Sequence, residues 1–274
     1  MNAGAIRLAA QDLLTQRRPA IVVWVKQVAG SVPREAGTRM VVSATEAAGT
    51  VGGGHLEWRA LEHARDALRA HSDHPISDLH LPLGPALGQC CGGVVTLAFE
   101  RLTEAAMAAW PEPVPLFHLQ LYGAGHVGRA IARALEPLDV RVDWIDEREA
   151  EFPEEPSPPH IRRIAVDAVE GEVRLAPAGA FYLVLTHSHD LDMRLAEAIL
   201  KRRDAGWFGL IGSATKRARF EHRLTARGIA PNAIAAMACP IGLPSIIGKA
   251  PEVVAISVVA QLLVEATQHQ AGPS

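Results

Sequence analysis

One segment restricts the fold of this chain more than any other. Leu116–Tyr122 is apolar and strand-like, and Gly123-Ala124-Gly125-His126-Val127-Gly128 follows it directly. A helix-like stretch runs to Leu135, and a second strand, Val140–Ile145, ends at Asp146. Strand, glycine turn, helix, strand and an acid about 20 residues on form the register of a dinucleotide-binding βαβ unit. Gly123 permits the tight turn, Gly125 lets a phosphate approach the backbone, and Gly128 lets helix and strand pack closely. Asp146 is then placed to accept hydrogen bonds from a ribose. The same residues also admit a plainer role, with Asp146 capping its strand and the glycines serving packing alone.

The rest of the second half repeats the alternation. Apolar stretches at Ile161–Val166, Ala180–Thr186 and Trp207–Ile211 are separated by helical segments at Asp190–Arg203 and Thr215–Ala226, and Pro251–Thr267 reads as a closing helix. Such alternation predicts a mainly parallel sheet covered on both faces, a Rossmann-like doubly wound α/β domain over residues 116–274. Pro111, Pro113 and Pro115 stiffen a stretch, 103–115, that reads as a linker. Residues 1–102 carry a helix, strands at Ala20–Val28, Arg39–Val42 and Val94–Phe99, and a helix from about His55 to Ala70. That mixture predicts a smaller N-terminal α+β domain.

Composition removes several classes. A formal net charge of -3 with 21% charged residues lacks the basic excess of a dedicated nucleic-acid binder. No apolar run has the length of a membrane span, and the first helix lacks the basic start and continuous apolar core of a signal peptide. Three cysteines, two of them adjacent, make no disulfide framework, so the expectation is a cytoplasmic protein with free thiols.

Three further constellations carry chemistry. In Gly49-Thr50-Val51-Gly52-Gly53-Gly54-His55-Leu56-Glu57, the glycines Gly52, Gly53 and Gly54 precede a helix and offer backbone N–H groups to an anion, a terminal phosphate being a natural occupant. In Gly88-Gln89-Cys90-Cys91-Gly92-Gly93, two thiols stand on adaptable backbone, and a thiolate is a soft metal ligand. Cys239 reads as structural. Thr186-His187-Ser188-His189-Asp190-Leu191-Asp192 follows a strand at its carboxyl end, where open α/β sheets gather ligands. Leu191 and Asp192 replace the Asp and His of a zinc-hydrolase H-x-H-x-D-H run, so His187 and His189 are expected to line a site. Ser213 and Lys216, after Gly209-Leu210-Ile211-Gly212, supply another anion contact or an ordinary capped helix start.

Taken in order, these motifs resemble the xanthine dehydrogenase accessory (XdhC/CoxI) family. The second-half elements are Gly123–Gly128, Thr186–Asp192, Gly209–Arg217 and Cys239-Pro240-Ile241-Gly242-Leu243; those of the first half are Gly30–Gly37, Met40-Val41-Val42, Thr50–Glu57 and Gln89–Gly93. The resemblance covers nearly the whole chain. It implies a carrier that binds molybdenum cofactor (molybdopterin), supports its sulfuration together with a cysteine desulfurase, and passes it to xanthine dehydrogenase. It also implies a homodimer, and a cysteine that retains the cofactor and contacts its metal, with Cys90 favoured and Cys91 left open. Cofactor-binding positions are then expected at both thiols, at Gly52–Gly54, and at Gly123, Gly125, His126, Gly128 and Asp146. His187, His189, Ser213 and Lys216 complete the set. Trp24 and Trp58 are candidates for stacking a pterin, though each reads first as core. The Rossmann turn leaves room for a separate nucleotide, and no acid–base pair is placed for turnover.

Two other classes stay open at this stage. An NAD(P)-dependent oxidoreductase would use Gly123–Gly128 and Asp146, with substrate near His187 or His189. A redox-switch protein would act through the vicinal Cys90-Cys91 pair.

Overall fold

A computed structural model of the chain describes residues 1–70, 74–84 and 92–271. It divides into two compact units, Met1–Pro113 and Val114–Ser274. The stretch expected as a linker opens with a short helix, whose first turn is capped by the Thr103 hydroxyl accepting from Ala106 N–H at 3.0 Å.

The first unit is built on one antiparallel sheet. Its strands are β1 (Ala20–Ala29), β2 (Arg39–Ser43), β3 (Ala47–Gly49), β4 (Leu79–Pro82) and β5 (Val94–Arg101), in the order β3-β2-β1-β5-β4. Alternation along β1 sends Ile21, Val23 and Val25 to one face and Ala20 and Val22 to the other. The first face packs on α2 (Gly54–Ala70) through Leu56, Ala60 and Ala64, which recur at helical spacing. The second packs on α1 (Ala3–Thr15) and α3 (Glu104–Ala108). Both faces are covered, which is why the central strands carry near-continuous apolar runs.

The second unit is the doubly wound sheet that the alternation predicts. Its strands are β6 (His118–Tyr122), β7 (Arg141–Asp146), β8 (Ile161–Ala165), β9 (Phe181–Val184) and β10 (Trp207–Leu210). All pair in parallel, in the order β10-β9-β6-β7-β8. Helices α4 (His126–Leu135) and α9 (Pro251–Ala271) cover one face with Leu119, Leu121, Trp144 and Leu183. Helices α5 (Glu170–Leu175), α6 (His189–Arg202), α7 (Ala214–Ala226) and α8 (Pro231–Ala235) cover the other, with Tyr122, Tyr182, Val184 and Leu210. Strand order reverses between β6 and β9, so the switch point where such sheets bind ligands opens at Tyr122 and Val184. The outer edge of β10 is closed, because Leu210 N–H donates to Ala238 O and Ala238 N–H donates to Phe208 O, both at 2.9 Å.

A polar row crosses the middle of this sheet. Tyr122 Oη donates to Gln120 Oε1 at 2.9 Å, Gln120 Nε2 donates to Asp143 Oδ2 at 2.9 Å, and Arg162 Nε donates to Asp143 Oδ1 at 2.9 Å. Burial pushes the Asp143 carboxyl upward, but hydrogen bonds from His118 and Arg162 outweigh it and hold the group below its ordinary range. Tyr182, opposite Gln120, has a buried hydroxyl with no hydrogen-bond partner among the described residues.

Candidate functional site

The glycine turn takes its shape from close approach. A Cβ on Gly128 would stand 2.0 Å from Gly123 O, and one on Gly123 would stand 2.4 Å from Leu185 O, so neither position admits a side chain as built. Below the turn, buried Trp144 donates its indole N–H to Gly123 O at 3.0 Å. Gly125 caps α4 with no side-chain hydrogen bond, and His126 is exposed beside it. The first N–H groups of α4 therefore lack a side-chain cap, a geometry suited to an anion.

Asp146 does not have the freedom that its place in the sequence suggests. Its Oδ2 accepts from Ala124 N–H at 2.7 Å and from Arg148 Nη2 at 3.1 Å. Its Oδ1 accepts from Arg148 N–H at 2.9 Å and from Arg148 Nε at 3.0 Å. A carboxylate offers about four lone-pair positions, and all are used. Burial raises its pKa and these donors more than reverse that, leaving it below the ordinary carboxylate range. In this structure Asp146 braces the glycine turn. Sequence reasoning missed Arg148, though an arginine two residues beyond the acid was visible.

Beyond the switch point, a second acid organises the loops. Asp192 is fully buried. Its Oδ1 accepts from Thr186 N–H at 3.1 Å and Thr186 Oγ1 at 2.7 Å, and its Oδ2 accepts from Lys216 Nζ at 2.6 Å. Lys216 Nζ also donates to Ile211 O at 2.7 Å. One buried ion pair thus ties the loop after β9 to the loop after β10. Lys216, expected as a free anion contact, is committed to this clamp. Ser188 and Ser213 cap α6 and α7 by accepting from Leu191 and Lys216 N–H, so Ser213 acts here as a helix cap. His187 Nε2 lies 3.4 Å from Glu147.

These loops and one face of α7 enclose a cleft of about 900 Å³. Its walls include His187, His189, Lys216, Arg219, His222 and Arg223, and no Asp or Glu is among the described residues that line it. Arg219, His222 and Arg223 were not singled out in the sequence, where only the start of α7, at Ser213 and Lys216, read as an anion contact or an ordinary capped helix start. Among the described residues, no group of three or more His, Cys, Asp or Glu could hold a metal ion, so the His187–His189 run forms no metal centre with them.

In the first unit the triglycine loop meets a carboxylate of its own chain. Gly53 N–H donates to Glu57 Oε2 at 3.2 Å, Gly52 N–H donates to Thr50 Oγ1 at 3.2 Å, and Thr50 Oγ1 donates to Glu57 in turn. Two of the N–H groups expected to face a phosphate are therefore already satisfied. Trp58 is exposed, its ring tilted by 37° to that of His55 with centroids 5.3 Å apart, and is not in the core, whereas Trp24 is half-buried. Cys239 is buried, and burial raises its thiol pKa, as suits a structural cysteine. Cys90 and Cys91 lie outside the described residues.

Comparison with known proteins now bears on this site. The family model described as the XdhC Rossmann domain matches residues 119–262, more than half of the chain, and the model described as the XdhC and CoxI family matches residues 13–76. The chain belongs to the XdhC and CoxI family. A curated relative, the uncharacterized protein YqeB of Escherichia coli (strain K12), is 26% identical over 255 residues, which is 93% of this chain and 45% of that protein. The chain thus spans under half the length of that XdhC-like relative. A crystal structure from Bacillus halodurans described as a xanthine dehydrogenase superimposes with a TM-score of 0.74 at 17% identity, covering 98% of each chain. It shares the fold of this XdhC/CoxI-family chain across both units. The XdhC Rossmann match contains the glycine turn, the Asp192–Lys216 clamp and the basic cleft.

Proposed function

We propose that this XdhC/CoxI-family chain is an accessory protein that holds molybdenum cofactor, supports its sulfuration with a cysteine desulfurase, and delivers it to xanthine dehydrogenase. The observation that carries the reading is the basic cleft at the carboxyl ends of β9 and β10, inside the segment matched by the XdhC Rossmann domain. Molybdopterin ends in a phosphate, and a concave surface whose described lining residues include six basic side chains and no carboxylate fits that group. When bound, the cofactor supplies a molybdenum centre whose oxo ligand is exchanged for sulfur. The chain's own part is to bind and to orient. The Asp192–Lys216 pair fixes both loops of the cleft, the uncapped start of α4 offers backbone donors, and the Cys90-Cys91 pair offers a soft thiolate.

A nicotinamide-dependent oxidoreductase is disfavoured by Asp146, whose acceptor positions are filled by Ala124 and Arg148. The homodimer, the partner enzymes and a cytoplasmic setting belong to the same proposal; no helix among the described residues is long and apolar enough to cross a membrane. The test is to mix purified protein with molybdopterin and follow molybdenum through gel filtration. Molybdenum should co-elute with the wild type and be lost from the Cys90→Ala/Cys91→Ala variant. Full retention by the double variant would remove the thiol contact, and no retention by the wild type would remove the carrier reading.

A further inference from the structure

We infer that the cleft-facing side of α7 is a phosphate-binding wall in which Arg219, His222 and Arg223, together with His189, take up the terminal phosphomonoester of the bound ligand. The inference rests on the carrier reading for the identity of that ligand, a phosphorylated pterin, but its physical basis is independent of it. Lys216, Arg219 and Arg223 recur at i, i+3 and i+7 along the helix, which puts them on one side, and His222 stands beside them.

Most of the other cationic features of this unit are spent within the protein. Arg148 is held by Asp146, Arg217 by Glu221 and the carbonyls of Met237 and Cys239, and Lys216 by Asp192. Arg219, His189 and His222 have no hydrogen bond or ion pair among the described residues, and Arg223 stands only 3.7 Å from the exposed Asp190. Six basic residues gather round one concavity in a chain whose formal net charge is -3. Arg219 and Arg223 set two like charges on one wall, and an anion between them relieves their repulsion. Each histidine ring donates an N–H in either protonation state, and the guanidinium fork matches phosphate oxygens. A concavity of about 900 Å³ suits a small molecule better than a polymer lying across a surface.

The probe is inorganic phosphate, titrated into the full chain while the amide resonances of Ser213, Thr215 and Arg219 are followed by NMR. Saturable shifts are expected, weakening as salt is added. The Arg219→Gln/Arg223→Gln variant should bind about tenfold more weakly, since two charge-assisted hydrogen bonds are lost and their solvent exposure reduces what each contributes. Both side chains are exposed, so unchanged thermal unfolding will verify that the variant is folded. Arg141→Gln, at the amino end of β7 and so at the opposite end of the strands from the cleft, should leave binding as it was.

Absence of saturable shifts, or equal weakening by Arg141→Gln, would overturn the inference. ADP in a second arm separates the sources. Binding at least tenfold tighter than phosphate and lost in the same double variant would assign the wall to a nucleotide and overturn the pterin part. The outcome is separable from the carrier test: molybdenum lost from Cys90→Ala/Cys91→Ala with phosphate binding intact leaves this wall standing by itself.

Discussion

Replacing Lys216 by Met removes one half of the buried pair that joins the two cleft loops. The Lys216 side chain is 12% exposed and that of Asp192 0%. In Lys216→Met, Asp192 keeps the Thr186 N–H and hydroxyl but loses its counter-charge in a site that water does not reach. Breaking a pair in this way costs about 3–5 kcal/mol, most of it from the charge left behind. In a unit of this size each kcal/mol lowers the midpoint by roughly 2–4 °C, so a fall of about 10 °C is expected. Asp192→Asn should cost less, because the amide oxygen still accepts from Thr186 and Lys216 retains Ile211 O. The double variant Asp192→Asn/Lys216→Met should then be more stable than Lys216→Met by about 1–3 kcal/mol, the coupling expected of residues in contact. Thermal unfolding of the four proteins, followed by calorimetry, completes the cycle. A Lys216→Met midpoint within about 2 °C of wild type, or single losses that simply add in the double variant, would refute the clamp.

Gly128→Ala should destabilise by about 1–3 kcal/mol although alanine is the better helix former, because the added methyl meets Gly123 O; a raised midpoint in calorimetry would refute the close approach. Asp146 has a folded pKa below its unfolded value of about 3.9, so its stabilisation is present above that pH and lost as pH falls through the folded value. Midpoints measured from about pH 5 to pH 2 should therefore fall less steeply in Asp146→Asn than in wild type, and parallel curves would contradict the four hydrogen bonds assigned to the carboxylate.

The second unit was legible because its strands are buried on both faces and its helices keep a regular apolar period. Both signals survive without tertiary information, and the strands from β6 to β10 lie where the alternation puts them. In the first unit, β3 and β4 were not read. Ala47–Gly49 has little β-propensity, and Leu79–Pro82 is a short edge strand ending in proline; pairing with β2 and β5 makes them strands. At the site, glycine positions could be read because they report backbone geometry. The availability of polar groups could not, since it depends on partners brought in by folding. Glu57 reaches back to Gly53, Arg148 folds over Asp146, and Asp192 captures Lys216 from 24 residues away. Arg219 and His222 escaped notice for the converse reason: among the described residues they have no hydrogen bond or ion pair, and Arg223 meets only the exposed Asp190, on a helix that looks merely polar.

The segment Met237–Cys239 has a consequence for self-association. By bonding to Phe208 and Leu210 it occupies the ladder positions that the last parallel strand would otherwise present to solvent. A second molecule therefore meets Ala238 where Phe208 O and Leu210 N–H would otherwise face outward. Lengthening the sheet on that side requires Ala238 to leave, whereas side-chain contacts there can be tuned by substitution without touching the strands beneath.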